Sequence, residues 1–358
     1  MDGMTASIVQ RTELEAVIGK IIEGMIGLEA ESEGKINIIS MNHWDWSQGV
    51  GLFSLYLYYK DSGDQDILDY LIQWFDNRIE EGLPSKNINT MCPMLTLSYL
   101  YEETGRQDYL ELCQEWVNYA VNGGIPRTPE MGMAHATISG PNKDQLWDDT
   151  LYMTVLFVGR MGRILNNENY CQESIRQFLV HLKYLTDTST GLFFHGWSFE
   201  GNHNYARVLW GRGNAWYTAG LVDYLDMVPL PQGVSDFLIS SLERQVQTLE
   251  KLQAADGMWH TVLDDPASYV ETSATSGFAY GILKAVRQGY LDAKYKETGI
   301  KALQAVLSRI DADGTVQGVS YGTVVGKTAE YYKQIKICPM PYGQSMALLM
   351  MVESLKHV

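Results

Sequence analysis

Two adjacent aspartates, Asp148 and Asp149, lie in the sequence WDDTL at positions 147–151 and are the first candidates for chemistry. A carboxyl group can donate a proton and later accept one from water when its pKa lies near the working pH. A helix N-terminus lowers a carboxyl pKa, so burial among aromatic residues would have to oppose that effect here. Either aspartate could instead cap a helix. Because consecutive helical residues point about 100° apart, we expect only one of the two to face a cavity.

Aromatic side chains and hydrogen-bond donors recur in three other segments. Trp46 lies in the segment 42–50, and two glycine-rich segments, 191–197 and 210–217, contain Trp, His and Arg. Glycine lets a ligand approach the backbone, and the planar guanidinium of Arg212 suits a carboxylate. Tryptophan pairs and glycine-rich turns are also common in cores, and a single histidine is more often structural than catalytic. Each segment alone is therefore weak evidence for a sugar site.

The elements that must position these residues are helices. Apolar residues spaced three and four apart predict about twelve helices and hardly any strand. The stretch 57–68 is echoed by 99–110, and in each copy a glycine, Gly63 or Gly105, is placed to end a helix. Each helical hairpin needs neighbours to cover its apolar face, so six hairpins can close a toroid or stack as a solenoid. The predicted helices span 12–30, 48–60, 65–81, 90–104, 108–122, 145–167, 171–187, 213–226, 234–254, 270–288, 291–309 and 341–357.

The connections between these helices alternate in length. Short turns such as 61–64 and 105–107 alternate with the long segments 123–144, 188–212 and 310–340. The long segments hold most of the Trp, His and Gly residues outside the helices, and long loops of this kind usually carry function. We therefore expect one face of the ring to carry the site.

Composition restricts the partners and the domain organisation. The chain has 358 residues and a formal net charge of -16, with no linker-like stretch, which favours one domain over residues 1–358. An acidic chain without a basic face is not expected to bind nucleic acid. An anionic sugar remains compatible if its pocket is locally positive.

No metal, cofactor or membrane signal is visible in the sequence. The four cysteines form no CxxC or Cys/His cluster, so reduced core thiols are expected rather than a zinc site or disulfides. There is no HExxH, EF-hand or phosphate-binding glycine motif, and we expect no metal and no cofactor. Without a signal peptide or an apolar span, the protein is expected to be cytoplasmic.

Several motifs in one order resemble glycoside hydrolase family 105, the unsaturated rhamnogalacturonyl hydrolases, over roughly residues 40–356. The motifs are WDDTL at 147–151, WGRGN at 210–214, LDDP at 263–266 with ETSAT at 271–275, and GTVVGK at 322–327 with YGQ at 342–344. More distantly, the chain resembles the unsaturated glucuronyl hydrolases. The resemblance implies an all-α fold, the (α/α)6 barrel.

The resemblance also implies an uncommon glycosidase chemistry. The substrate carries a C4=C5 double bond in its terminal uronic acid, unlike the substrates that a pair of carboxylates attacks at the anomeric carbon. An acid protonates C4, water adds at C5, and the resulting hemiketal opens and expels the neighbouring sugar. The implied activity is removal of an unsaturated galacturonyl residue from the non-reducing end of pectin-derived or rhamnogalacturonan-derived oligosaccharides.

The family's essential aspartate precedes Thr-Leu, which makes Asp149 the implied catalytic acid. The doubled Asp148-Asp149 departs from the usual single carboxylate, and Asp148 is the other candidate. In some relatives a second aspartate lies where this chain has Asn89, which cannot ionise. Whether Asp148 or Asn89 assists Asp149 stays open. The implied substrate-binding residues are Trp46, Asn89, His135, Trp147, His195, Trp210, Arg212 and Trp216.

Three alternative functions are compatible with the sequence. One is an unsaturated glucuronyl hydrolase acting on glycosaminoglycan-type disaccharides, which would favour basic residues at the rim. Another is a sugar epimerase on the same ring, for which His135, His195 and His203 could supply an acid and a base. The last is a non-catalytic sugar-binding toroid, which would be expected to lack the acid. We expect an oligosaccharide as partner, no nucleic acid or membrane, and a monomer or homodimer.

Overall fold

The computed structural model describes residues 10–29 and 38–357, and helices dominate that part of the chain. The helices are α1 Arg11–Ile26, α2 Trp46–Ser62, α3 Gln65–Glu81, α4 Cys92–Thr104, α5 Gln107–Val121, α6 Leu156–Ile164, α7 Glu168–Leu185, α8 Gly211–Met227, α9 Gln232–Leu252, α10 Thr272–Arg287, α11 Lys296–Leu307, α12 Ala329–Lys333 and α13 Pro341–Ser354. Two short strands, β1 Gln145–Trp147 and β2 Gly196–Ser198, a π-helical turn Leu151–Val155 and a 3-10 turn Ala293–Tyr295 complete the described elements.

The helices form two concentric rings. In the inner ring α2, α4, α6, α8, α10 and α13 each contact the next, and α13 contacts α2, which closes the circle. In the outer ring α3, α5, α7, α9 and α11 each pack on the inner helix before them, and α1 packs on α13. Six helical hairpins therefore close a toroid, and the predicted (α/α)6 barrel is confirmed.

Burial distinguishes the two rings. Every residue of α13 is buried, because this inner helix is covered on all sides. The outer helix α3 buries one stripe, which includes Leu71, Trp74 and Phe75, and leaves its other face to solvent. A helix that is apolar on one side shows a clear periodicity in the sequence, whereas a helix buried all round does not.

The predicted helix ends at Gly63 and Gly105 are confirmed. Both glycines adopt the left-handed conformation, with φ of 74° and 67°, and each is the first residue after its helix. The predicted helix 12–30 ends earlier, at Ile26, and residue 30 lies outside the described residues.

The predicted helix 145–167 is wrong at its start. Gln145–Trp147 forms strand β1, which pairs antiparallel with β2 so that Trp147 lies opposite Gly196. The helical residues begin only at Asp149, because pairing with the distant 188–212 loop overrides the local preference of the chain. The predicted helix 291–309 likewise starts with a 3-10 turn, and α12 within the 310–340 loop was not predicted.

In residues 10–29 and 38–357, no helix is both long enough and apolar enough to cross a membrane.

Candidate active site

A cavity of about 580 Å³ opens at the end of the ring where the inner helices begin. Helix N-termini carry a partial positive charge and free N–H groups, so this end of the ring suits an anionic ligand. Most of the predicted site residues line the cavity, namely Trp46, Asn89, His135, Trp147, Asp149, Trp210 and Arg212.

Asp149 is positioned by the junction between β1 and the inner helix that follows it. The backbone N–H of Asp148 donates to the carbonyl of His195 (3.1 Å), so the two loops are joined directly beside the aspartates. The chain then continues through the π-helical turn, a geometry that often marks functional sites. The helical residues begin at Asp149, and Asp148 stands directly before them. Asp149 lines the cavity while Asp148 is buried.

His195 contacts Asp149 with one ring nitrogen and is held at the other by a chain of polar groups. The N–H of Gly326 donates to the Tyr332 hydroxyl (2.8 Å), which lies 2.7 Å from Nδ1 of His195. Since the Tyr332 oxygen already accepts a hydrogen bond, we assign its own hydrogen to Nδ1 and the imidazole hydrogen to Nε2. Nε2 lies 3.3 Å from Oδ2 of Asp149, close enough for an ion pair but without the alignment of a good hydrogen bond.

Asp148 and Asp149 form a coupled carboxyl pair. Burial, and then the charge of Asp149, raise the pKa of Asp148 well above its usual range. Burial also opposes ionisation of Asp149, but contact with His195 and the nearby His135 outweigh it and hold the pKa of Asp149 below its usual range. Of the two carboxyl groups, Asp148 therefore holds a proton in preference to Asp149.

The carboxyl of Asp148 fits against the start of α8. A Cβ atom at Gly213 would lie 2.1 Å from Oδ2 of Asp148, so only glycine leaves room for this carboxyl. Neither oxygen of Asp148 has a hydrogen-bond donor among the described groups. A proton shared with Asp149 is a physical way to satisfy such a buried carboxyl.

The walls of the cavity provide aromatic surfaces. The rings of His135 and Trp147 stack with centroids 4.3 Å apart and planes 10° apart. Nδ1 of His135 lies 2.9 Å from Oγ1 of Thr150, and burial lowers the pKa of His135 to about 4, so its ring is neutral. Trp46 stacks on Tyr342 with centroids 4.6 Å apart. These uncharged faces suit a sugar ring.

Arg212 lines the cavity, but its terminal nitrogens serve the 310–340 loop. Nη1 donates to the carbonyl of Ser320 (2.9 Å) and Nη2 to that of Tyr321 (3.0 Å). Nη1 also lies 3.9 Å from the buried carboxylate of Glu271. The side chain predicted to clamp a carboxylate therefore orders one wall of the cavity in this structure, and its charge is partly neutralised.

Asp148, Asp149 and His195 also have the spacing of metal ligands. Among the residues that the structure describes, they offer three ligand atoms within 4.8 Å of one another. A metal would need the lone pair of His195 Nε2, where the hydrogen-bond chain from Gly326 and Tyr332 places a hydrogen. The arrangement fits a shared proton better than a metal.

Comparison with known proteins places the chain in a family. The family model of Glycosyl Hydrolase Family 88 matches residues 18–358. The chain belongs to this family. It is 34% identical over 317 residues to the unsaturated rhamnogalacturonyl hydrolase YesR of Bacillus subtilis, covering 87% of this chain and 90% of that protein.

Two solved structures of possible GH105 members resemble this family 88 chain along nearly its whole length. One, from Salmonella enterica serovar Paratyphi A, is 40% identical with a TM-score of 0.95, covering 99% of this chain and 97% of that one. The other, from Klebsiella pneumoniae, is 42% identical with a TM-score of 0.93, covering 99% and 96%. The predicted family and the predicted glycosidase class are confirmed.

Two predicted substrate-binding residues of this family 88 chain do not line the cavity. Trp216 is fully buried and packs against Tyr152 (4.9 Å between centroids) and the edge of Trp46, because it lies one helical turn deeper than Arg212. His195 is buried behind the lining residues Asp149, Trp147 and Trp210. Both predictions of direct sugar contact are corrected accordingly.

Among the residues at the site that were not predicted from the sequence, Asp45 and Tyr332 bear most directly on its chemistry. Asp45 lines the cavity beside Trp46, and its position within the Trp-rich segment 42–50 was a usable signal. Tyr332 holds His195 from a loop 137 residues away, and no local pattern indicates that contact.

Proposed function

We propose that this chain removes a 4,5-unsaturated galacturonyl residue from the non-reducing end of pectin-derived or rhamnogalacturonan-derived oligosaccharides. The observation that carries the proposal is the carboxyl pair, in which Asp149 lines the cavity and Asp148 is buried directly beside it. The activity named for the Bacillus subtilis relative supports the same substrate class.

In the proposed reaction Asp149 acts first as an acid and then as a base. The substrate carboxylate and the loss of solvent raise the pKa of Asp149, which takes up the proton that the pair holds. Asp149 protonates C4, and the positive charge that develops at C5 is shared with the ring oxygen. Water then bonds to C5 while its proton passes to Asp149. The hemiketal opens, and the bond to the neighbouring sugar breaks.

The charges around the cavity favour a neutral leaving sugar. Among the described lining residues, Arg212 is the one lysine or arginine, and its terminal nitrogens bind the 310–340 loop. Ile138 and Val324 at the lining are each about half exposed and apolar. A sulfated leaving sugar would need free cations that this lining does not offer. The alternative substrate, an unsaturated glycosaminoglycan disaccharide, is therefore the less favoured one.

The proposal extends to the setting of the reaction. Cys92, Cys113 and Cys171 are buried thiols, in keeping with a reducing cytoplasm where the final step of pectin breakdown would supply a monosaccharide to metabolism. We propose one domain, a monomer or homodimer, and no nucleic-acid or membrane partner, consistent with the net charge of -16.

The test follows the ultraviolet absorbance of the conjugated double bond, which hydration removes. We expect the wild-type protein to consume unsaturated galacturonyl-rhamnose, and Asp149→Asn to lose roughly 10²–10⁴-fold in kcat because it cannot donate the proton. Asp236→Asn, an exposed substitution on α9, is the matched control and should behave as the wild type.

A second substrate separates the alternatives. Consumption of an unsaturated chondroitin disaccharide alone would move the chain to the glucuronyl class. Loss of absorbance on neither substrate, with folded protein between about pH 5 and pH 8, would contradict the double-bond chemistry.

A further inference from the structure

Asp45 is a second carboxyl group in the wall of the active-site cavity. It lies at the N-terminus of α2, is only 3% exposed, and lines the same cavity as Asp149. Its Oδ1 accepts a hydrogen bond from the backbone N–H of Trp46 (2.8 Å), which makes it the N-cap of the helix. A cap can be placed in solvent, so capping alone does not explain why this carboxyl is buried at the cavity.

Asp45 lies next to the segment that contains Asn89. The indole nitrogen of Trp44 donates to the carbonyl of Thr90 (2.8 Å). A Cβ atom on Gly49 would lie 2.6 Å from Sγ of Cys92, so the starts of α2 and α4 are in close contact. Both Asp45 and Asn89 line the cavity from this pair of helix starts. This wall therefore presents one carboxyl and one amide to a ligand.

We propose that Asp45 is a substrate-binding residue that donates a hydrogen bond from its carboxyl group to the carboxylate or a hydroxyl group of the uronic acid. This inference rests on the proposed function, because it assigns Asp45 a contact with the sugar of that same reaction.

The charges that face Asp45 require it to be neutral when it binds an anion. From α4 it faces the thiol of Cys92, whose pKa is raised well above its usual range by burial and by Asp45, so the thiol is uncharged. Across the cavity lie Asp149, which is ionised, His135, which is neutral, and Arg212, whose terminal nitrogens bind the 310–340 loop. A second negative charge in this cavity would repel the uronate.

Protonation of Asp45 is favoured by its surroundings. Burial raises the pKa of Asp45 to about 6, although the hydrogen bond from Trp46 opposes the shift. A bound anion raises that pKa further, because it also favours the neutral acid. Below about pH 6 the carboxyl donates a hydrogen bond, and above it the carboxylate repels the substrate. The Michaelis constant should therefore rise as the pH increases.

The experiment measures KM and kcat of the wild type, Asp45→Asn and Asp45→Ser from about pH 5 to pH 8. Asparagine and serine keep the helix cap and remove the titration. For the wild type we expect KM to rise by up to about tenfold per pH unit above the pKa of Asp45. The amide of Asp45→Asn still donates a hydrogen bond at every pH, so its KM should stay level and fall below the wild-type value near pH 8.

Asp64→Asn is the matched control, since Asp64 caps α3 in the same way (Oδ1 to the N–H of Asp66, 3.0 Å) outside the cavity. Its KM should follow the wild-type pH dependence. A wild-type KM that does not change with pH, or a KM of Asp45→Asn that rises in parallel with it, would overturn the role of Asp45 while leaving the proposed function intact. No turnover by the wild type would remove both proposals together.

Discussion

At the scale of single residues, the hydrogen-bond chain from Gly326 through Tyr332 to His195 determines which face of the imidazole meets Asp149. A hydrogen on Nε2 stabilises the carboxylate of Asp149, whereas a lone pair there would repel it. Tyr332 therefore acts on Asp149, the proposed acid, without contact with it, and its substitution is a test of that action.

We expect Tyr332→Phe to lower kcat by roughly 10- to 100-fold, because His195 is then free to place its hydrogen on Nδ1 and Asp149 loses its orientation. The pKa of Asp149, which His195 helps to lower, should rise, so the high-pH limb of activity should move to higher pH. The pH profile of kcat measures both effects.

Tyr269→Phe is the control for that substitution. The Tyr269 hydroxyl donates to the carbonyl of Tyr332 (3.2 Å), so its loss loosens α12 without changing the partner of His195. A shifted pH profile in both variants would mean that loop stability, and not the state of His195, explains the result.

Some of these residues could be predicted from the sequence and others could not. Asp149 was predicted because its contiguous motif carries the resemblance to the family, and its neighbour Asp148 was left as an open question. The buried position of Asp148 against Gly213 depends on the contact between the start of α8 and the strand–helix junction, which no local pattern contains. Trp216 was wrongly predicted to line the cavity. It shares a helix face with Arg212, but the sequence does not show how far below the cavity each residue of that face lies.

At the scale of the elements, the outer helices were the easier to predict. α3 and α5 have one apolar stripe each and end or begin at clear turn signals, and their predicted ranges differ from the observed ones by at most one residue. The start of α6 was wrong because Gln145–Trp147 pairs with a strand from another loop, and pairing partners are not encoded locally.

Close packing of the inner helices gives a test at this scale. In α10, a Cβ atom on Gly281 would lie 2.4 Å from the carbonyl oxygen of Thr218 in α8, and neither backbone can move without disturbing the ring. We expect Gly281→Ala to lower the free energy of unfolding by roughly 1–3 kcal/mol through overpacking. Denaturant titration measures the change.

Gly233→Ala in α9 is the matched control. No atom outside its own helix lies within 4 Å of a Cβ atom there, so alanine should be neutral or stabilise by up to about 1 kcal/mol through helix propensity. Equal destabilisation by both substitutions would contradict the close contact between α8 and α10.

At the scale of the whole molecule, the two ends of the ring differ in structure. The end where the inner helices begin carries the cavity, and the end where they finish is held by ion pairs. There Nζ of Lys284 in α10 lies 2.7 Å from Asp223 and 2.9 Å from Asp226, both in α8. Arg287 of α10 contacts Glu353 of α13 at 2.5 Å. Three neighbouring inner helices are thus joined away from the chemistry.

We expect Lys284→Met to lower the free energy of unfolding by roughly 3–5 kcal/mol near pH 8, because it leaves the buried carboxylate of Asp223 without its cation. Burial already raises the pKa of Asp223, and loss of Lys284 raises it further. A carboxyl whose folded pKa exceeds its unfolded value costs stability as the pH rises through the folded pKa, so the loss should be smaller near pH 5.

Denaturant titrations of Lys284→Met at both pH values measure that difference, with Lys60→Met as the control. Lys60 pairs with Glu103 at 2.9 Å, but its side chain is 49% exposed, so solvent screens the pair and we expect less than about 1 kcal/mol at either pH. The folded fraction of Lys284→Met should keep its kcat, since Lys284 lies where α10 ends and Asp149 lies before the π-helical turn that leads into α6. A loss of kcat in fully folded protein would instead show that the ion pairs at one end of the ring control the geometry of the cavity at the other.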